Sequence, residues 1–227
     1  MKTIGIIGLS MAMACLAGNV AASENVDHSQ MDHSQMDHSQ HSADEHAQHR
    51  AMMNQKGYTR KEVSYRLPDV TLTNQDGGKV STATLFAGEE TIMLNFIFTT
   101  CTTICPVLSA NFSQLQSKYG SQIDDVKLVS ISIDPEYDTP EKLKQYGERF
   151  RAGEGWTFLT GDLDNVIGVL SAFDAYRGDK MNHTPLVLIS IPGSSNWIRL
   201  DGFANAGDLM NEYQALKTEH SADVSQR

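Results

Sequence analysis

The sequence predicts an α/β fold with a mixed central sheet flanked by helices. Three observations carry that prediction. Thr91-Ile-Met-Leu-Asn-Phe-Ile-Phe98 is a continuous apolar run of strand length, suited to a strand covered on both faces. Strand-like and helix-like segments alternate after it, the pattern of parallel strands joined by helical crossovers. Near the C-terminus the alternation gives way to two strand-like segments joined by a short turn, which adds an antiparallel hairpin to the sheet.

The folded part is expected to begin near Tyr58. Val70-Thr-Leu-Thr and Lys79-Val-Ser flank Asn74-Gln-Asp-Gly-Gly78, whose glycines suit an N-terminal hairpin. After the Thr91–Phe98 strand, Leu108, Phe112, Leu115 and Tyr119 recur at helical spacing, which predicts a helix from Pro106 to Tyr119. Pro106 suits the first helical position, where its missing N–H has no partner to lose, and Gly120 is a natural stop. Val126 to Ile133 reads as the next strand. Asp138 or Thr139 caps a second helix, with Pro140 and Glu141 in its first turn, reaching about Phe150. Trp156–Leu159 and a helix from about Leu163 to Phe173 form an inserted βα unit. Leu186–Ile191, a Pro192–Asn196 turn and Trp197–Leu200 form the hairpin, and a last helix spans roughly Ala206 to Lys217. The order βαβα, an inserted βα, then ββα is thioredoxin-like.

With 227 residues and 40% hydrophobic content, the chain is large enough for one ordinary domain plus an appendage. A net charge of −10 and the absence of basic clusters argue against nucleic-acid or anionic-membrane partners. Residues 1–22 read as a signal peptide: Lys2, a short apolar stretch from Thr3 to Ala17, then Val20-Ala21-Ala22 before Ser23. Cys15 lies within it, so cleavage after Ala22 leaves an even pair of cysteines. Lipidation at Cys15 and an uncleaved anchor are the alternatives. Each places the domain outside the cytoplasm, in a compartment such as the periplasm, soluble or membrane-anchored.

Residues 23–57 are low in complexity and polar, and their composition predicts a disordered tail. The folded domain is expected over 58–220, with a tail at 221–227. The pentad Asp-His-Ser-Gln-(Met or His) occurs in tandem at Asp27–Met31, Asp32–Met36 and Asp37–His41. It sets His28, Met31, His33, Met36, His38 and His41 in register, with His46 and His49 following. Imidazole suits several transition metals, whereas thioether favours Cu(I), so the repeat reads as an auxiliary copper-capture segment. It resembles the Met/His-rich stretches of exported copper-resistance proteins.

Cys101 and Cys105 stand in Phe98-Thr99-Thr100-Cys101-Thr102-Thr103-Ile104-Cys105-Pro106, between the apolar strand and the helix after it. A residue before proline is disfavoured in helical conformation, which places Cys105 at the N-cap edge and Cys101 in the preceding loop. Both sulfurs then lie near the positive end of the helix dipole, which favours thiolate. Such a pair is a structural bridge, a redox couple or part of a metal site. A bridge closing so short a loop removes little chain entropy. In the redox reading, Cys101 is the attacking thiolate, Cys105 the resolving thiol, and the two form a disulfide when oxidised. Three intervening residues, against two in thioredoxin dithiols, leave room for a metal. Two thiolates do not complete a zinc site, which takes four ligands, but two thiolates and an imidazole suit copper. His183 precedes the Leu186–Ile191 strand, and in a thioredoxin-like fold that loop faces the first helix's N-terminus, making His183 the expected third ligand. Met181, two residues earlier, reads first as an ordinary loop residue.

The run Thr99-Thr-Cys-Thr-Thr-Ile-Cys-Pro106, the run Ile131-Ser-Ile-Asp-Pro-Glu-Tyr-Asp-Thr-Pro-Glu-Lys-Leu-Lys-Gln-Tyr146, and His183-Thr184 before a final strand resemble the Sco/SenC family. The resemblance covers roughly Leu67 to Tyr213. It implies a thioredoxin fold, an exported membrane-facing location, and copper held by Cys101, Cys105 and His183. It also implies a role in assembling the binuclear copper centre of cytochrome c oxidase. The partners would be an oxidase subunit or another exported copper protein, together with a thiol reductant. Asp134-Pro135 and Asp138-Thr139-Pro140 belong to the same signature and are read as structural, a turn and a helix cap. The chain has Asn182 where the family shows aspartate before the histidine. Pro185 falls where thioredoxins place a cis-proline, and a cis bond there favours disulfide exchange.

Overall fold

A computed structural model describes residues 57–224. The signal-peptide segment with Cys15, and the repeat residues from His28 to His49, lie outside the described residues.

The described elements run in the order β1 (Tyr58–Ser64), β2 (Thr71–Asn74), β3 (Lys79–Ser81), α1 (Thr82–Phe86), β4 (Thr91–Ile97), α2 (Ile104–Tyr119) and β5 (Val126–Ser132). They continue with α3 (Pro140–Arg149), β6 (Trp156–Thr160), α4 (Leu163–Ala172), β7 (Leu186–Ser190), β8 (Asn196–Gly202) and α5 (Ala206–Val224). Short 3₁₀ turns follow α2 at Gly120–Gln122 and precede β7 at Lys180–Asn182. The eight strands form one sheet in the order β1-β8-β7-β4-β5-β6-β2-β3. Strands β4, β5 and β6 are parallel, and the other pairings are antiparallel. This is the mixed α/β sheet expected, with the N-terminal hairpin (β2–β3) and the inserted β6–α4 unit in place.

All seven residues of β4 are buried because helices cover both faces of the sheet. Its side chains alternate between two cores, as the period of two requires. Met93 and Ile97 pack with Leu108 and Phe112 of α2, Tyr146 of α3 and Tyr213 of α5. Ile92, Leu94 and Phe96 pack on the other face with Val166, Val169 and Leu170 of α4, and with Phe173.

Four local features differ from the sequence expectation. Helix α2 starts at Ile104, two residues before Pro106, so Cys105 lies inside the first turn rather than at the cap edge. The reason is that no N–H of the first turn has an intrahelical acceptor, so proline is tolerated there beyond the first position. The C-terminal end of α2 is as expected: α-helical hydrogen bonding stops at Gly120, where the chain tightens into a 3₁₀ turn. Strand β1 and helix α1 had no signal. In β1, Thr59 to Glu62 are exposed, so apolar alternation is absent, and the strand is held instead by its pairing with β8 from Tyr58↔Gly202 to Ser64↔Asn196. A charged edge of this kind also resists pairing with other chains. Helix α5 runs past Lys217 to Val224.

This topology sets up one end of the sheet. The carboxyl ends of β4 and β5 and the start of antiparallel β7 lie side by side there, in the adjacent positions β7-β4-β5. Open α/β sheets bind ligands beyond the carboxyl ends of parallel strands. None of the described helices is long and apolar enough to cross a membrane.

Candidate metal centre

Three side chains converge at that end. The Cys101 and Cys105 sulfurs and a ring nitrogen of His183 all lie within 4.8 Å of one another. Each comes from a different local device. Cys101 closes a turn after β4, its N–H donating to the Phe98 carbonyl at 3.1 Å. Cys105 sits in the first turn of α2 and is fully buried. His183 follows the Lys180–Asn182 turn and precedes β7, with only 9% of its surface exposed. Both cysteines are free.

The cap residue of α2, Thr103, makes no side-chain cap bond. The Cys101 sulfur takes that role, accepting the Cys105 N–H at 3.4 Å. The Cys105 sulfur in turn accepts the Phe98 N–H at 3.4 Å. One unpaired donor of the helix start and one backbone N–H just after β4 thus point at sulfur, the arrangement that favours thiolate.

The two thiols are pushed apart in acidity. At Cys101, burial raises the pKa, but hydrogen bonds from the backbone of Cys105 and Thr103 outweigh it, and the net shift is downward. At Cys105, burial dominates and drives the thiol far above the ordinary range, with repulsion from Cys101 adding to it. Burial also lowers the His183 pKa, only partly offset by the Lys180 carbonyl. Its imidazole is therefore neutral at pH 7, the form that ligates metals.

The tautomer follows from geometry. His183 Nδ1 lies 3.1 Å from the Lys180 carbonyl oxygen, which can only accept, so Nδ1 carries the proton. Nε2 then directs its lone pair at the sulfurs, 3.4 Å from Cys105 Sγ. The Phe98 ring meets the imidazole edge-on at 5.3 Å between centroids, fixing its plane. A cleft of about 430 Å³, lined in part by Asp134, Leu163, Tyr176 and Lys180, reaches His183 from outside. The set is two soft sulfurs and one imidazole, partly open on the Cys101 side, which is chemistry for a soft metal ion or a dithiol–disulfide couple.

Iodoacetamide is expected to modify Cys101 at least about tenfold faster than Cys105 in the reduced, metal-free protein, because only Cys101 combines exposure with a lowered thiol. Its reactivity should also persist to lower pH than that of an ordinary thiol. Peptide mapping after a timed pulse reads this, and equal labelling would contradict the assigned asymmetry.

All three site residues read from the sequence meet in the fold. Met181 does not join them and is 73% exposed. The Thr184–Pro185 bond is trans, since no peptide bond among the described residues is cis, so that argument for disulfide exchange is absent. Of the two candidate caps, Thr139 caps α3, its hydroxyl accepting the Lys142 N–H. Asp138 is instead fully buried and hydrogen-bonded to Thr99 and Ser132. Sequence reading missed this role, and it missed Phe98 and Lys180. The signal available was a carboxylate two residues before a helix, next to a threonine already able to cap.

Residues 58–195 match the family model described as SCO1/SenC. A SCO1 protein homologue of Bacillus subtilis (strain 168) is 39% identical over 100 residues, covering 44% of this chain and 51% of the relative. A provisionally named copper-binding protein of Stutzerimonas stutzeri is 34% identical over 101 residues, covering 44% of this chain and 48% of the relative. The chain thus matches about half the length of these curated relatives. Among solved structures, BsSco, described as a member of the Sco family of cytochrome c oxidase assembly proteins and studied for a disulfide switch, superposes with a TM-score of 0.59. It is 29% identical, and the match covers 70% of this chain and 98% of that one.

Proposed function

The chain belongs to the SCO1/SenC family, and from that premise we propose that it is an exported copper metallochaperone. Cys101, Cys105 and His183 bind copper, and the protein passes it to a copper enzyme such as cytochrome c oxidase. The observation that carries this reading is the convergence of two sulfurs and a neutral, correctly oriented imidazole within 4.8 Å. That donor set suits copper better than zinc, which takes four protein ligands in closed sites. Two relatives add support: one named, provisionally, for copper binding, and one from a family described by its part in oxidase assembly. The cleft beside His183 gives a client's ligands an approach, and the half-exposed Cys101 gives the metal a way out. Residues 1–22 direct export to the periplasm, with or without a lasting anchor at the N-terminus. His28, Met31, His33, Met36, His38, His41, His46 and His49 capture copper ahead of the folded site.

The division of labour is tested by deleting residues 23–56. The full chain is expected to take up several copper equivalents, most of them weak, and the deletion should remove the weak ones while sparing the tightest. Equilibrium dialysis against a competing chelator reads both. Loss of the tight equivalent with the repeats would instead make the protein a copper buffer for metal resistance.

A second reading is favoured by the half-exposed, acidified Cys101. Its thiolate attacks a client disulfide, forming a mixed disulfide and releasing one client thiolate. Cys105 then displaces the other, leaving a Cys101–Cys105 disulfide and a reduced client, and an external thiol reductant resets the pair. Reduced client cysteines are what copper delivery requires, so the two activities are compatible in one site.

A further inference from the structure

Two carboxylates on one loop reach opposite halves of the site. Asp138 is completely buried, and its carboxylate accepts the Thr99 N–H at 3.1 Å, the Thr99 hydroxyl at 2.5 Å and the Ser132 hydroxyl at 2.6 Å. Thr99 follows Phe98, whose N–H points at the Cys105 sulfur and whose carbonyl holds Cys101. Asp138 therefore grips the residue immediately next to the one whose backbone groups place both sulfurs. Asp134 holds the other half. Its carboxylate takes the Lys180 ammonium at 2.5 Å, and the Lys180 carbonyl accepts the His183 Nδ1 proton at 3.1 Å.

The two carboxylates are themselves locked together. The Asp138 N–H donates to the Asp134 carbonyl at 2.8 Å, as does the Tyr137 N–H at 3.0 Å. The Ser132 hydroxyl oxygen that donates to Asp138 also accepts the Asp134 N–H at 3.0 Å. The loop starts where β5 ends, beside β4, and the Ile133 N–H is bonded to the Ile97 carbonyl at 2.8 Å. A short hydrogen-bonded turn thus connects the cysteine loop to the histidine loop without passing through the ligands.

We infer that the loop from Asp134 to Thr139 is a bracket that sets the spacing between the cysteine pair and the histidine, with Asp138 positioning the cysteines through Thr99 and Asp134 positioning His183 through Lys180. The inference rests on the metal-binding reading and extends it. Asp134, Asp138 and Lys180 are positioning residues, since none is among the three converging ligand groups. Outer groups that orient metal ligands typically change metal affinity by about 10- to 100-fold when removed. A turn and a helix cap, the ordinary roles for this segment, require neither carboxylate to reach the site.

The test uses the full chain, first reduced and then loaded with Cu(II) as the probe. Lys180→Met keeps the aliphatic stem of a surface side chain and removes only the charge gripped by Asp134. It should melt near the parent temperature, yet bind copper about tenfold more weakly and show reduced nitrogen coupling in the EPR spectrum. Lys180→Arg should restore that coupling. Asp138→Asn should weaken copper about 10- to 100-fold while keeping nitrogen coupling, because it loosens the cysteine half. If Asp138→Asn does not fold, Thr99→Val serves in its place, with about a tenfold loss expected. Folded variants with the parent's copper affinity and EPR spectrum would overturn the bracket alone. A parent that takes up no tight copper beyond that bound by its Cys101→Ser/Cys105→Ser variant would overturn the metal-binding reading, and the bracket with it.

Discussion

Changing Cys101 and Cys105 together to serine is expected to cut the tight copper affinity of the folded domain by on the order of a thousandfold or more. The sulfurs are two of the three donors, and they are the soft ones. Serine keeps the volume and a weak hydrogen-bonding oxygen, so the Phe98 N–H and Cys105 N–H keep an acceptor in place of sulfur. The fold should survive, because the core around Cys105 rests mainly on larger neighbours such as Leu108 and Phe112 of α2. Circular dichroism and competition against a Cu(I) chelator, carried out without residues 1–56, separate loss of metal from loss of structure. Copper bound by the double variant as tightly as by the parent would place the site elsewhere.

The second large effect is expected from His183→Ala. Copper affinity should fall by more than the roughly 10- to 100-fold that loss of an outer orienting group costs, and the nitrogen signature of the folded domain should vanish, leaving a two-sulfur site. Delivery of copper to a client should fail. Disulfide exchange at Cys101 should be largely spared, since the hydrogen bonds that acidify Cys101 come from the Cys105 and Thr103 region and not from the imidazole. The variant therefore separates the two proposed activities. A parallel loss of exchange and copper delivery would mean that the imidazole takes part in thiol chemistry as well, and a changed alkylation rate at Cys101 would be its simplest sign.

The fold was largely legible because its strongest signals are local. A mostly apolar run of strand length reads as a strand buried on both faces, and Leu108, Phe112 and Leu115 at helical spacing mark the inner face of α2. Strand β1 was not legible, because its order comes from pairing with β8, more than 130 residues away in sequence, and its outward residues are polar. The three converging side chains were legible because sulfur and imidazole are rare in this domain, and strand order brings their loops to one end. What supports them was not. Asp138 looks like a helix cap in sequence because it stands beside Thr139, and only the packing of Thr99 and Ser132 against it shows a buried anchor. Lys180 carries no sequence signal at all, since it reaches Asp134 through a surface charge and His183 through a backbone carbonyl.

The most direct measurement is a copper titration of the reduced protein lacking residues 1–56, followed by absorption and EPR spectra. The expected result is one tightly bound copper per chain, a thiolate-to-copper charge-transfer band, and coupling to a single imidazole nitrogen. A folded, reduced domain that holds no copper tightly, while its dithiol cycles readily against glutathione buffers, would contradict it.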